Sequence, residues 1–185
     1  MNSVVFVSGV YGVGKSTLCN KLAQKCRINF YSAGDVISDV NGEKYGSNKT
    51  VKDKELNQKI LAEKISEKLE REKLIILAGH FCILGNDGRV EQIPLHTYSK
   101  LQLSSIILLE SKPDIIIQNL IRRDGKEYSI KQIEEFLQTE RNCAMHIAES
   151  LKIPLFIHNM DFTNKDLEKN YLFLKEVYGE NVIGH

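Results

Sequence analysis

The sequence predicts a three-layer α/β/α domain built on a five-stranded parallel sheet, and three observations carry that reading. Short apolar runs at residues 4–7, 74–77, 106–109 and 155–157, with a weaker fifth at 28–31, have the length of buried strands. The segments between them are long enough to hold helices, and strands alternating with helices pair in parallel through right-handed crossovers that cover both faces of the sheet. A glycine-rich turn, Gly9-Val10-Tyr11-Gly12-Val13-Gly14-Lys15-Ser16-Thr17, follows the first run at its carboxyl end, where such sheets gather their ligands.

Taken in order, residues 16–26 predict the first helix. Asp35 in Tyr31-Ser32-Ala33-Gly34-Asp35 reads as the N-cap of a helix starting at Val36. Residues 41–54, rich in Gly, Asn and Lys, read as an exposed mobile segment. Leu56, Ile60, Ile65 and Leu69 mark an amphipathic helix. Gly85-Asn86-Asp87-Gly88, between residues 81–84 and 89–93, predicts a small hairpin. Pro113 suits the first turn of a further helix, and another is predicted over residues 130–151. No repeat or low-complexity linker divides the chain, so a single domain is expected over residues 1–185.

Composition narrows the function classes. A hydrophobic fraction of 42% is ordinary for a globular chain, and a formal net charge of +1, from 25 basic and 24 acidic residues, argues against a general DNA or membrane-surface binder. Four cysteines, Cys19, Cys26, Cys82 and Cys143, are widely spaced and read as small hydrophobes in a reducing compartment. No apolar run approaches the roughly 20 residues of a membrane span, and a cytoplasmic protein is expected.

The glycine-rich turn is a complete G-x-x-x-x-G-K-[ST] phosphate cradle. Such glycines let backbone N–H groups close around phosphates, the lysine reaches the β and γ oxygens, and the hydroxyl after it can ligate Mg²⁺. Gly9, Tyr11, Gly12, Val13, Gly14, Lys15, Ser16 and Thr17 are therefore the expected nucleotide contacts, with Ser16 the metal ligand and ATP with Mg²⁺ the expected cofactors. Transfer of a phosphoryl group further requires positive charge over the transferring oxygens. Arg122 and Arg123, ending the helix that begins at Pro113, are candidates for that task or a solvated, dipole-complementing helix end. Arg141 falls on the apolar stripe of Ile133, Leu137, Ala144, Ala148 and Leu151, so it either pairs structurally or reaches phosphate. Asp35 is a candidate base or metal-shell ligand, and His80 stands just past a strand end, where it either orders water or phosphate or is a hydrogen-bonded loop histidine. Ala78-Gly79-His80 stands where a strand-end acid normally supports the metal, which leaves Asp35, Asp87 or Glu110 as stand-ins.

The cradle, Ser32-Ala33-Gly34-Asp35, Ala78-Gly79-His80, Pro113-Asp114 with Arg122-Arg123, and Glu140-Arg141 with Ala144 together resemble the small nucleoside monophosphate kinases. The likeness is nearest to archaeal-type adenylate kinases and to the adenylate-kinase-like ATPases of ribosome maturation. It implies the sheet order 2-3-1-4-5, a short lid at about 122–131, an acceptor-side segment at about 35–70, and Arg122, Arg123 and Arg141 as phosphate contacts. Relatives often carry D-x-H where this chain has Ala78-Gly79-His80, and an arginine where it has Ser38; Lys49, Lys52 and Lys54 either replace that arginine or, the preferred reading, form a solvated face. The expected activity is transfer of the ATP γ-phosphoryl group to a nucleoside monophosphate or other small acceptor. The alternative is an ATPase whose nucleotide state is read by a protein or ribonucleoprotein partner.

Overall fold

The central strands form where the sequence stays apolar on both faces. The computed structural model describes residues 2–41, 54–85, 88–125, 127–180 and 183. Strands β1 (Ser3–Ser8), β3 (Leu74–Ala78) and β6 (Leu103–Glu110) are buried almost throughout, the pattern of strands covered by helices on both sides. β2 (Asn29–Ser32) and β7 (Leu155–Asn159) are the half-buried edges. An antiparallel hairpin, β4 (Cys82–Leu84) with β5 (Val90–Gln92), stands outside the sheet between β3 and β6. The sheet runs β2-β3-β1-β6-β7, all parallel, so its five strands counted along the chain lie in the expected order 2-3-1-4-5.

Helices α1 (Lys15–Cys26), α2 (Ala33–Asn41), α3 (Lys54–Leu69), α4 (Pro113–Asp124), α5 (Ile130–Leu151) and α6 (Asn164–Tyr178) complete the three layers, α1 packing with α6 and α4 with α5. None of the described helices is long and apolar enough to cross a membrane.

Four local differences from the sequence reading have physical causes. α2 begins at Ala33 because the Ser32 hydroxyl accepts the Asp35 backbone N–H; Asp35 lies within the first turn and is not the cap. α3 buries Leu61, Ile65 and Leu69 with Asn57 on the same i, i+4 row, and this rotation leaves Leu56 half exposed. α5 buries Ile133, Ala144 and Ala148 as expected, but also Phe136, Glu140 and Ile147, so the inward position between Phe136 and Ala144 is held by Glu140 and not by Arg141. α6 lacks a sequence prediction altogether, because its inward face includes the buried Asp166 and Asn170.

Cys82 and Cys143, far apart in sequence, come together with their Sγ atoms 3.7 Å apart. Asn86 and Asp87 of the hairpin turn, and Lys49 and Lys52 with the Lys54 side chain, lie outside the described residues, as does most of the 41–54 segment.

Candidate functional site

The carboxyl ends of β1, β2 and β3 open onto a cavity of about 930 Å³. Its floor at one end is the loop between β1 and α1. Gly14 precedes α1 in the left-handed region, with φ of +97°, and Gly9 at +144° would place a Cβ 2.5 Å from the Leu109 carbonyl oxygen. No side chain fits at Gly9 without moving backbone, and the loop leads into the head of a helix, where anions bind. Lys15 Nζ donates to the carbonyls of Gly9 at 2.7 Å and Val10 at 3.0 Å, folding back across the loop. Tyr11, Gly12, Gly14, Lys15, Ser16 and Thr17 all line the cavity; Gly9 and Val13 are buried behind it.

Three further elements hold this end in place. From α4, the Asn119 amide donates to the Gly12 carbonyl at 2.9 Å. From α5, the Glu140 carboxylate accepts the N–H groups of Gly9 at 3.1 Å, Phe81 at 3.0 Å and Cys82 at 2.8 Å. Burial pushes the Glu140 carboxyl up to about 6, against the opposing pull of the Phe81, Cys82 and Gly9 amides and of the Lys15 ammonium. From the turn after β7, Met160 and Phe162 pack against the Gly14 face. Asp166 fixes that turn by accepting the N–H groups of Asp161 at 3.0 Å and Thr163 at 2.9 Å while pairing with buried His158 at 2.8 Å. Burial raises the Asp166 pKa, but these hydrogen bonds outweigh it and hold the carboxyl below its ordinary value.

At the far end of the cavity, among the described residues, the lining contributed by α2, α3 and the hairpin is uncharged. Ile37, Leu61, Ile83, Leu84, Ile93 and Tyr98 supply the walls, and Ser32, Asn57 and Gln58 the polar edges. His80 sits between the two ends, its ring 4.4 Å edge-on from Tyr11, and its carbonyl accepts the Tyr98 hydroxyl at 2.7 Å. Gly79 is forced, since a Cβ there would meet the Phe6 ring at 2.7 Å.

Of the candidate residues, Tyr11, Gly12, Gly14, Lys15, Ser16, Thr17, His80 and Arg123 border this cavity. Arg123 is exposed at the mouth and binds its neighbour Asp124, Nε to Oδ1 at 2.6 Å. Arg122 is exposed and outside the lining, and Asp35 is exposed with only its backbone near Ser32. Arg141 points to a separate shallow cavity, where it forms a two-pronged ion pair with Glu110, one arm at 2.8 Å. That pair also removes Glu110 from the metal stand-ins. Sequence reasoning missed Glu140, Asn119, Met160, Phe162 and Asp166. Only Asp166 left a signal there, the Thr163-x-x-Asp166 spacing of a capping box.

The Gly9–Gly14 loop fits the phosphates of a nucleotide, since its glycines hold positive-φ turns that closely packed neighbours deny to any side chain, ahead of a helix N-terminus that faces the cavity. Magnesium fits less through protein oxygen than through phosphate: the described residues contain no cluster of three metal-ligating side chains, and Ser16 is the available hydroxyl.

The sequence matches the AAA domain family over residues 8–136. The curated proteins contain no match to it. Among solved structures, shikimate kinase from Acinetobacter baumannii in complex with shikimate is similar at a TM-score of 0.65 and 14% identity, covering 96% of this chain and 93% of that one. Shikimate kinase from Bacteroides thetaiotaomicron gives 0.58 and 18%, covering 94% and 96%. A gluconokinase from Sinorhizobium meliloti 1021 gives 0.56 and 14%, covering 98% and 95%. Identities this low establish a shared P-loop kinase fold.

Proposed function

The chain belongs to the AAA domain family, and from that premise we propose that it is an ATP-binding phosphotransferase, moving the γ-phosphoryl group of Mg-ATP to a small acceptor, a nucleoside monophosphate or another compound of that size. The observation that carries this reading is the single cavity with two unlike ends, a phosphate cradle at one and a neutral, walled space at the other, joined across His80. The fold likeness to shikimate and gluconate kinases supports a two-substrate site, and their acceptors widen the set beyond nucleotides.

In this reading the cradle amides and Lys15 bind the donor phosphates, and Met160, Phe162 and Thr163 flank its base. Ser16 holds the magnesium ion, which when bound offsets phosphate charge. Arg123 caps the mouth and neutralises charge on the transferring oxygens. Arg122 joins it only as the turn between α4 and α5, at about 122–131, moves over the cavity, and Arg141 stays with Glu110. A phosphate acceptor is already anionic and needs no base. For a hydroxyl acceptor His80, inside the cavity, is better placed than the exposed Asp35. The whole chain then acts as one kinase-like domain in the cytoplasm, with residues of about 35–70 on the acceptor side.

A second reading, nearer the adenylate-kinase-like ATPases, is favoured by Ala78. It lines the cavity at the end of β3, where relatives place an acid, so transfer to water that resets a partner-binding state fits as well. One experiment separates the two. The protein is incubated with Mg-ATP and, in turn, nucleoside monophosphates, nucleosides, shikimate, gluconate and buffer alone, and phosphorus species are followed with Lys15→Ala as control. ADP formation that depends on one acceptor class supports the phosphotransferase. Turnover indifferent to every acceptor overturns it in favour of the ATPase.

A further inference from the structure

Glu140 is a carboxylate buried to 1% exposure in the middle of α5, and among the described residues no side chain forms a direct ion pair with it in the manner of Glu110 and Arg141. Its oxygens instead receive three backbone N–H groups from two loops far away in sequence. One is Gly9, the first residue of the phosphate cradle; the others, Phe81 and Cys82, directly follow His80. Isolated ionised carboxylates in such surroundings are costly, so a position that keeps one is spending stability on something.

We propose that Glu140 is a positioning residue of the nucleotide site: its ionised carboxylate fixes the entry of the cradle to the turn carrying His80, and gives Lys15 the negative neighbour that Ala78 does not supply. The proposal rests on the nucleotide-binding reading above. Its physical basis is donor counting. An ionised carboxylate accepts all three N–H groups at full strength, whereas a protonated one keeps acceptor lone pairs but sets an O–H among N–H donors, so protonation weakens the contacts to Gly9, Phe81 and Cys82. Nucleotide binding therefore follows the ionisation of Glu140.

The charged and titratable groups acting on this carboxylate are few. Lys15 comes from α1, Tyr98 from the 3₁₀ turn of Leu95–Lys100, Cys82 from β4 and Cys143 from α5 itself. The hydrogen bond to Cys143, with burial, holds the Cys82 proton on, and burial holds the Tyr98 proton on, both well past neutrality, so neither competes in mildly acid solution. His80 turns its ring toward Tyr11 and Phe136, and Arg141 turns to Glu110. Lys15 pulls the Glu140 carboxyl down and burial pushes it up, and the balance places it at about 6.

The test is binding of a fluorescent ATP analogue with Mg²⁺, titrated from pH 5 to pH 8 at constant ionic strength, for the wild type, Glu140→Gln and Glu140→Asp. The glutamine keeps the shape but turns an amide NH₂ toward amide donors, so its affinity at pH 8 falls about 10- to 100-fold. The wild type loses affinity below pH 6 approximately tenfold per unit more steeply than Glu140→Gln, which carries only the titration of the analogue itself. Glu140→Asp restores the slope at reduced affinity. Equal slopes in wild type and Glu140→Gln overturn the proposal. Should the glutamine variant fail to fold by circular dichroism, the aspartate variant decides: a lost slope overturns the proposal and a kept slope supports it. Absence of binding by the wild type at pH 8 instead overturns the nucleotide reading on which it rests.

Discussion

The end of the cavity under the cradle is made of backbone, while the far end is made of side chains. At the cradle, glycines at positive φ and one lysine leave almost no freedom of residue type, and the atom nearest a Cβ on Gly9 is a main-chain oxygen of β6 that cannot give way. At the far end Ile37, Leu61, Ile83 and Ile93 are apolar shapes that other apolar side chains could copy. A chemistry written in backbone geometry has one sequence spelling; a pocket written in volumes has many. That is why the phosphate donor can be argued from residues alone and the acceptor calls for an assay.

The sharpest way to break this contrast is Lys15→Ala. Removing the ammonium from a cradle of fixed amides is expected to lower turnover about 100- to 1,000-fold, with the melting temperature unchanged within error. A small loss would mean that the amides do most of the binding. Gly9→Ala comes next and acts on the frame: a methyl 2.5 Å from the Leu109 oxygen, at a φ of +144°, is expected to cost about 3 kcal/mol in denaturant unfolding. Ile37→Ala probes the other end. With 6% exposure it is expected to cost about 2 kcal/mol and to raise the acceptor KM while the ATP KM moves less than twofold. An equal rise in both would erase the distinction between the ends.

A smaller effect comes from pH. The Glu140 carboxyl sits at about 6 when folded against an ordinary value of 4.5, so the folded state holds the proton over that interval and the unfolded chain does not. Stability from this group is greatest below 4.5 and declines as pH rises to about 6, by about 2 kcal/mol in total. The difference in unfolding free energy between wild type and Glu140→Gln, measured at pH 4.5 and 7, is expected to show that decline, opposite in sign to the pH trend of nucleotide affinity. Smallest of all is Arg141→Ala. Its ion pair with Glu110 lies in the other cavity and is partly exposed, so turnover is expected to change less than about threefold and stability by about 1 kcal/mol.

The adjacent pair Glu140 and Arg141 also shows where sequence reading stops. Apolar runs located every strand of the sheet, because a strand buried on both faces announces itself by composition, and the cradle announced itself by its glycines. Helix faces were less secure: a stripe with a period of 3.6 residues leaves the choice between adjacent positions open, and on α5 that single step exchanges a cation for a buried carboxylate. The partners of Glu140 lie 131, 59 and 58 residues away, a separation that no local pattern encodes. α6 escaped for the related reason that Asp166 and Asn170 occupy places where apolar residues would have marked its inner face.

Asn119 and Arg123 stand one helical turn apart on the same side of α4, the first grasping the Gly12 carbonyl and the second at the cavity mouth. The helix is thus a ruler with its zero mark on the cradle. Lengthening or shortening the connection from β6 to α4 by one residue would turn the ruler by 100° and carry both marks off together. Any homologue that keeps the asparagine must keep the spacing, and a change in that spacing forecasts a different way of closing the mouth.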